Sequence, residues 1–395
     1  MIRILVLSAL AASASIALFQ KVAAEEEGPD SKPWLSDLPP LPDIEPVTRA
    51  EIEKSVTRGV DFLISSQNKN GSWGSATMTK GLNITAPIPG AHHAFRAGST
   101  GLALEGLLRS GDRRPEAVSA IERAEAWFLK ELPRLRRGTV DTMYNVWGHS
   151  YGIKALAELY RYREGDDAKQ SLLKNLAQTQ VQRLQRYEDV NGGWGYYDFD
   201  EATRKPTGIP TSFTTATVMM ALWKGKEVMD LGLPPKEVTR GIEFLKRQQT
   251  PDFAYVYSNG HRYRPRYSIN RPGGSLCRST ACNAARRVWG DPAPTDEIIK
   301  VWLDRLILRN GWVDIARKRP RPPIRLTLPI PATFTSTDTT TPWTASRSCQ
   351  KPTGLFIISI TRRSCFLSKK RMAAGGTIPS ISITMPTELV TLFAS

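Results

Sequence analysis

Two helical patterns alternate along the chain with a repeat of about sixty residues, and they limit its fold more than any other feature. One pattern is amphipathic and charged on one side, and it is predicted at 116–132, 172–187, 236–249 and 296–310. The other begins with small or aromatic residues and carries few charges, and its predicted starts are Gly98, Gly148, Thr211 and Gly274. Because neither helix can bury its apolar face alone, we expect the pairs to stack as an inner and an outer ring.

The first helix of the series is predicted from its two ends. Thr48 followed by Glu51 forms a capping box, which satisfies two backbone N–H groups at the start of a helix. Apolar residues then recur at helical spacing as far as Leu63. The helix is expected to end before Asn70-Gly71, a pair typical of a turn that needs positive φ.

A short motif follows several of the outer helices. The copies are Gln67-x-x-x-Gly71-x-Trp73, a second at 189–195, and a Gly-Trp remnant at 310–312. In the second copy the glutamine is expected to be displaced to Gln185. A glutamine amide can tie the helix end to the following turn, and the Trp ring can pack over that turn.

This motif resembles the repeat of squalene and oxidosqualene cyclases and, more loosely, that of protein prenyltransferase β-subunits. The resemblance covers about residues 48–320. It implies an all-α fold, an (α/α) toroid of repeated helical hairpins. Full triterpene cyclases of the family are built from two such domains, so the single ring expected here argues against a complete triterpene cyclase.

Two segments precede the predicted toroid. Residues 1–24 combine an early arginine, a short apolar run and small residues before the predicted cleavage site, which is typical of a secretory signal peptide. Residues 25–47 are rich in proline and are predicted to be a linker. We therefore expect an exported protein, periplasmic or secreted, without a transmembrane anchor after cleavage.

The net charge of +16 does not by itself indicate a nucleic-acid partner. Part of the excess lies beyond residue 320, and the remainder is scattered over predicted helix faces, so no nucleic-acid binding is expected. Cys277 and Cys282 lie five residues apart on a predicted helix and are expected to be buried thiols.

Residues 321–395 are predicted to be read in the wrong frame. This stretch has no Tyr and no His, and its only acidic residues are Asp338 and Glu388. Codons for Lys-Asp-Gly-Ser-Trp-Trp-Asp-Tyr-Pro, read one base late, can give the sequence found at 371–379. The toroid is therefore expected to be incomplete at its C-terminus. Resequencing codons 310–395 should reveal a missing base, and an unchanged sequence in genomic DNA and RNA would instead mean a real gene lesion.

The candidate catalytic residues are Asp198 and Asp200, in an acidic run after the second motif. The resemblance implies that such a carboxylic acid could protonate an alkene, since class II terpene cyclases use an Asp-x-Asp-Asp motif. Here the last position is Glu201, and a loop with Pro206 and Pro210 follows, so a solvated loop remains the alternative.

Further candidates for ligand binding lie at the inner-helix starts and adjoining loops. His93 and His149 are expected to be cavity histidines; no Asp-x-Cys pair accompanies them, so neither a metal nor a cofactor is predicted. Aromatic residues could hold an isoprenoid or stabilise a carbocation, or could simply pack in the core: Trp147, Tyr151, Trp194, Tyr196, Tyr197 and Phe213. Arg264 and Arg266, in a loop that starts at His261, could bind a diphosphate or carboxylate.

The predicted function is that of an exported cyclase-like or prenyltransferase-like toroid that binds or cyclises an isoprenoid or another apolar small molecule. Two alternatives remain open. One is a non-catalytic binding or scaffold toroid, and the other is a toroidal hydrolase or lyase acting on a polysaccharide.

Overall fold

The structure is a computed structural model, and it describes residues 48–74, 93–135, 145–195, 208–263, 268–270 and 272–308. Apart from two isolated β-bridges, the regular elements in these ranges are all helical. The α-helices are α1 (Arg49–Ser66), α2 (His93–Ser110), α3 (Pro115–Glu131), α4 (Asn145–Tyr162), α5 (Asp167–Tyr187), α6 (Ser212–Met229), α7 (Pro235–Gln248), α8 (Pro272–Val288) and α9 (Asp296–Leu308).

The helices form two layers in strict alternation. The even-numbered helices α2, α4, α6 and α8 pack on one another in succession, and the odd-numbered helices pack outside them. Helix α6 illustrates the inner layer, because every residue from Ser212 to Leu222 is buried. The predicted arrangement of inner and outer helices is thus confirmed, and the fold is an α/α toroid of helical hairpins.

Three inner helices begin earlier than the sequence predicted: α2 at His93, α4 at Asn145 and α8 at Pro272. In α2 and α4, the small residues predicted as helix starts are instead places of close packing between the two helices. A Cβ on Gly101 would lie 2.7 Å from the backbone oxygen of Tyr151, and one on Gly148 would lie 2.9 Å from that of Ala94. Glycine therefore marks where α2 and α4 approach closely, not where they begin.

The capping box of α1 is present as predicted. The backbone N–H of Thr48 donates to Glu51 Oε2 at 2.8 Å, and Glu51 N–H donates to Thr48 Oγ1. The turn after α1 places Gly71 at φ +89°, as the Asn-Gly pair predicted. The predicted signal peptide, linker and out-of-frame tail lie outside the described residues and remain predictions.

The same turn follows α1, α5 and α7. In each, the residue after the helix cap forms two backbone hydrogen bonds around the turn: Asn68 with Ser72 and Gly71, Asp189 with Gly193 and Gly192, and Thr250 with Ala254 and Phe253. The motif does not reveal the third copy, because Phe253 replaces the glycine and Tyr255 replaces the tryptophan. Phe253 nevertheless adopts φ +59°, so the backbone of the turn is kept without its usual residues.

A hydroxyl group on an inner helix closes each turn. The backbone N–H of Trp73 donates to Thr100 Oγ1, that of Trp194 to Thr215 Oγ1, and that of Tyr255 to Ser279 Oγ, over distances of 3.0, 3.0 and 3.1 Å. The two indole N–H groups reach back to carbonyl groups of the preceding outer helix, Leu63 and Leu184. Each turn thereby joins an outer helix to the next inner helix.

An arginine on each later outer helix binds the end of the previous one. Arg123 of α3 donates to Gln67, and Arg240 of α7 donates to Glu188. Arg183 of α5 donates to the carbonyl of Leu135 at 2.7 Å, just after α3. Arg305 of α9 pairs with Asp252 at 3.3 Å, in the turn after α7. These four arginines link successive repeats side by side.

The prediction that Gln185 replaces the motif glutamine in the second copy is wrong. Glu188 caps α5 and binds Arg240, just as Gln67 caps α1 and binds Arg123. Gln185 instead donates to the half-buried Glu237 of α7. A carboxylate accepts the arginine hydrogen bonds as an amide oxygen does, so the arginine contact is kept. The two bonds that the Gln67 amide donates, to the carbonyls of Gly71 and Ala120, cannot be made by Glu188.

Gly192 and Gly165 provide a matched test of this turn. Both have positive φ, +85° and +88°, but a Cβ on Gly192 would lie 2.6 Å from Arg240 O, whereas nothing lies within 4 Å of one on Gly165. Gly165→Ala is expected to cost about 1–2 kcal/mol for the left-handed backbone alone. Gly192→Ala adds steric overlap and should cost about 2–5 kcal/mol in the free energy of unfolding, measured by urea denaturation. Equal losses for the two variants would contradict the close approach.

Candidate functional site

A row of four aromatic rings crosses from the start of α4 to the turn before α8. The ring of Trp147 lies 6.3 Å from Phe213, Phe213 lies 5.2 Å from Tyr257, and Tyr257 lies 5.0 Å from His261, as centroid separations. We call these four residues the aromatic row. The first two belong to neighbouring inner helices, and their side chains are buried. Neighbouring rings of the row meet at interplanar angles of 61°, 46° and 66°, so they pack edge to face or tilted.

The aromatic row ends at a cavity of about 450 Å³. Its walls are two chain segments, Gly208–Pro210 before α6 and Ser258–His261 after the third turn. His261 belongs both to the cavity wall and to the row. The side chain of Ile209 is 64% exposed at this place, which gives the cavity an apolar edge. Apolar walls with a few polar groups are typical of small-molecule sites.

The two walls are held together by hydrogen bonds from the first turn of α6. Thr211 pairs with Ser258 in an antiparallel bridge, and Ser212 donates from its backbone to Tyr257 O at 3.0 Å and from its hydroxyl to Val256 O at 2.7 Å. On the other side, Asn270 Oδ1 accepts from the Tyr257 N–H at 3.0 Å. The wall that carries Tyr257 and Ser258 is therefore fixed from two sides.

A cluster of charged side chains fills the later half of the inner helices; we call it the ion layer. It consists of Glu105 and Arg109 of α2, Lys154 and Glu158 of α4, and Lys224 of α6. Lys224 Nζ lies 2.8 Å from a Glu105 oxygen and 2.5 Å from a Glu158 oxygen, and Lys154 Nζ lies 3.3 Å from Glu105. Since α2 and α6 both pack on α4, the bond between Glu105 and Lys224 must cross the inner side of the ring.

The ion layer is a buried electrostatic network. Burial would raise the pKa of Glu105, but the charges of Lys154 and Lys224 and the Lys224 hydrogen bond outweigh it and lower the pKa to about 2. Burial of Lys154 lowers the pKa of its amine to about 8, against the attraction of Glu105. Both groups are therefore charged at neutral pH, and an apolar ligand would be poorly tolerated in this half of the ring.

The predicted site residues Tyr151 and His149 lie in different places. Tyr151 is buried against α2 and lies beneath the ammonium of Lys154, 5.6 Å from its ring centre, so it separates the aromatic row from the ion layer. His149 lies between α4 and α5, where its Nδ1 is 2.8 Å from Gln180 Oε1 and its ring packs on Tyr187. Burial lowers the pKa of His149 to about 3, so the imidazole is neutral.

Trp194 and His93 also lie apart from the aromatic row. Trp194 is completely buried beneath the second turn, against Gly241 of α7, as a residue of the repeat motif. His93 is the first residue of α2 and is partly buried; burial lowers the pKa of its imidazole, while Glu131 opposes this shift. Of the predicted aromatic residues that the structure describes, only Trp147 and Phe213 belong to the aromatic row.

Six predicted residues lie outside the described residues: Tyr196, Tyr197, Asp198, Asp200, Arg264 and Arg266. The flanks of the acidic segment are described, and there the Thr211 N–H donates to Trp194 O at 3.0 Å. The basic segment follows directly after the cavity wall, since Tyr263 comes two residues after His261.

Sequence reasoning missed Tyr257, Ser258 and the ion layer. Tyr257 and Ser258 come directly after the unrecognised third turn, so the repeat alignment would have placed them at the start of an inner helix. The charges of the ion layer lie on three helices that are far apart in sequence. Only the packing of these helices brings them together.

Cys277 and Cys282 are both buried on α8, as predicted. Within the described ranges, no three His, Cys, Asp or Glu side chains converge as a metal site would require. None of the helices described here is both long and apolar enough to cross a bilayer.

Alternating inner and outer helices, joined by the repeated turn, define the chain as an α/α toroid with an aromatic and an ionic half. The chain belongs to the family of the squalene-hopene cyclase C-terminal domain, whose model matches residues 40–260, more than half of the 395 residues. The resemblance predicted from the Gln-x-x-x-Gly-x-Trp motif is thereby confirmed.

Among solved structures, the chain is similar to the cellobiose 2-epimerase of Spirochaeta thermophila DSM 6192. The two are 15% identical in sequence, with a TM-score of 0.41, over 68% of this chain and 72% of the epimerase. No curated protein sequence matches the chain.

Glu105 provides a pH test of the ion layer. Because its folded-state pKa is lowered to about 2 from 4.5, its stabilising contribution is complete above pH 4.5 and is lost as the pH falls towards 2. Glu105→Gln should therefore cost about 3 kcal/mol of unfolding free energy at pH 7, and this difference should shrink by about 2 kcal/mol at pH 3.

The control is Glu243→Gln, in an exposed pair with Lys246. It should change the unfolding free energy by less than about 0.5 kcal/mol at either pH. A Glu105→Gln cost that stayed the same from pH 7 to pH 3 would show that Glu105 does not carry its charge in the folded protein.

Proposed function

We propose that this protein is an exported toroid that binds an isoprenoid-type apolar ligand along the aromatic row. The main support is the series of aromatic contacts from Trp147 to His261, which connects the inner helices to the cavity. Flat aromatic surfaces suit alkene chains, and their π faces stabilise any positive charge that develops on them. Membership in the squalene-hopene cyclase family supports this ligand class.

The ion layer supports one orientation of the ligand. An apolar chain gains little by entering the half of the ring that holds Glu105, Lys154 and Lys224, because these charges would lose stabilising contacts. The chain would therefore lie in the half that contains the aromatic row. A polar headgroup would then be at the cavity, next to the segment in which Arg264 and Arg266 could bind a diphosphate or carboxylate.

We further propose that Asp198 or Asp200 is the general acid if the ligand is cyclised. The described residues on either side of the acidic run support this proposal: Trp194 O accepts from the Thr211 N–H, and Gly208 lines the cavity. A carboxylic acid that protonates an alkene must be shielded from water and held protonated by its neighbours. The aromatic row would then face the carbocation that forms.

Binding can be tested by native mass spectrometry of the full-length chain expressed with its leader, with squalene and geranylgeranyl diphosphate as probes. Export predicts a mature chain without residues 1–24 in the same spectra. Trp147→Leu should weaken binding by about tenfold, since it removes one ring of the row. Trp127→Leu is the matched control, because Trp127 is equally buried but packs on Phe128 in the outer layer.

Product analysis of the same mixtures separates binding from catalysis. Asp198→Asn and Asp200→Asn should leave binding and melting temperature unchanged and should abolish any cyclised product. Binding without product in the unmodified protein would favour the non-catalytic toroid. Equal affinity of the Trp147→Leu and Trp127→Leu variants would contradict the aromatic row as the binding site. Release of sugars from an acidic polysaccharide would favour a toroidal hydrolase or lyase.

A further inference from the structure

A serine and a histidine form a hydrogen-bonded pair in the wall of the cavity. Ser258 Oγ lies 2.8 Å from His261 Nδ1, within the range expected of a nucleophile and its general base. Both residues line the cavity of about 450 Å³, a volume suited to a small molecule. We propose that Ser258 and His261 act as nucleophile and base and cleave carboxylic esters that carry an apolar chain.

The backbone around the pair is fixed. The N–H of His261 donates to Ser258 O at 2.9 Å, which closes a single tight turn between the two residues. Asn270 Nδ2 donates to the His261 carbonyl at 2.9 Å, and Thr211 pairs with Ser258 on the opposite side. These contacts fix the backbone from which both side chains project, as positioned proton transfer requires.

The imidazole plane is set by the aromatic row. The rings of Tyr257 and His261 meet edge to face, with an interplanar angle of 66°. The guanidinium of Arg278 lies over the Tyr257 ring, 5.8 Å from its centre. The Nε of Arg278 donates to Tyr255 O. A fixed ring keeps Nδ1 directed at the Ser258 hydroxyl.

The reaction follows from these positions. Nδ1 of neutral His261 takes the proton of the Ser258 hydroxyl while Oγ forms a bond to the ester carbonyl carbon. The carbon–oxygen bond to the alcohol then breaks, and the alcohol leaves with the proton from His261. Water, activated by the same imidazole, attacks the acyl-serine, releases the carboxylic acid and restores the hydroxyl.

The preference for an apolar chain rests on the proposed function, but the ester cleavage itself does not. A chain attached to the reacting ester would extend from Ser258 and His261 over Tyr257 towards Phe213 and Trp147. A short ester needs only the serine and histidine. Comparing a short and a long ester therefore tests the two ideas separately.

The experiment measures release of p-nitrophenol from p-nitrophenyl acetate and p-nitrophenyl decanoate by the full-length protein. Ser258→Ala and His261→Gln should each lower kcat/KM for both esters by about 100-fold or more. Ser171→Ala is the control, since Ser171 is exposed at the start of α5 and far from the cavity in sequence; it should leave both rates unchanged.

Covalent labelling needs no variant, so it remains informative if Ser258→Ala does not fold. Diisopropyl fluorophosphate should modify Ser258, as identified by peptide mass spectrometry, and should stop ester cleavage. Cleavage that survives in Ser258→Ala, or the absence of label on Ser258, would overturn the proposal. If p-nitrophenyl acetate is cleaved but p-nitrophenyl decanoate is not preferred, the ester cleavage by Ser258 and His261 is supported. The proposed binding of an apolar chain along the aromatic row is then contradicted.

Discussion

The backbone N–H of one aromatic residue in each turn, donated to a hydroxyl on the next inner helix, is the contact on which the rest of the structure depends. Trp73, Trp194 and Tyr255 make this bond to Thr100, Thr215 and Ser279. It sets where α2, α6 and α8 begin relative to the outer helix before each of them. Helix α4 is positioned instead by its packing between α2 and α6.

The side chains around this bond are less constant than the bond itself. The second turn has Glu188 where the first has Gln67, and the third turn has Phe253 and Tyr255 where the others have glycine and tryptophan. What persists is the pair of backbone hydrogen bonds and the hydroxyl acceptor. A backbone geometry can thus be retained while the residues that favour it change, provided that the surrounding contacts compensate for the strain.

Helix type was predictable from the sequence because burial periodicity is a local property. The amphipathic outer helices and the buried α6 could be recognised within a window of about eighteen residues. The start of α2 could not, since Gly98 and Gly101 look like helix boundaries until α4 is placed against them. The ion layer escaped for a related reason: Glu105, Lys154 and Lys224 each look like a solvated charge in their own helix. Trp147 and Phe213 could be named, but only the fold shows that Tyr257 and His261 continue their row.

The four arginine contacts described above run in one direction, from a later outer helix to the end of an earlier one. During synthesis, each new outer helix can therefore bind the one already made. A lesion near the end of the gene would remove the final fastenings and leave those upstream in place. Because these contacts join only neighbouring repeats, the upstream repeats keep them when the last repeat is missing.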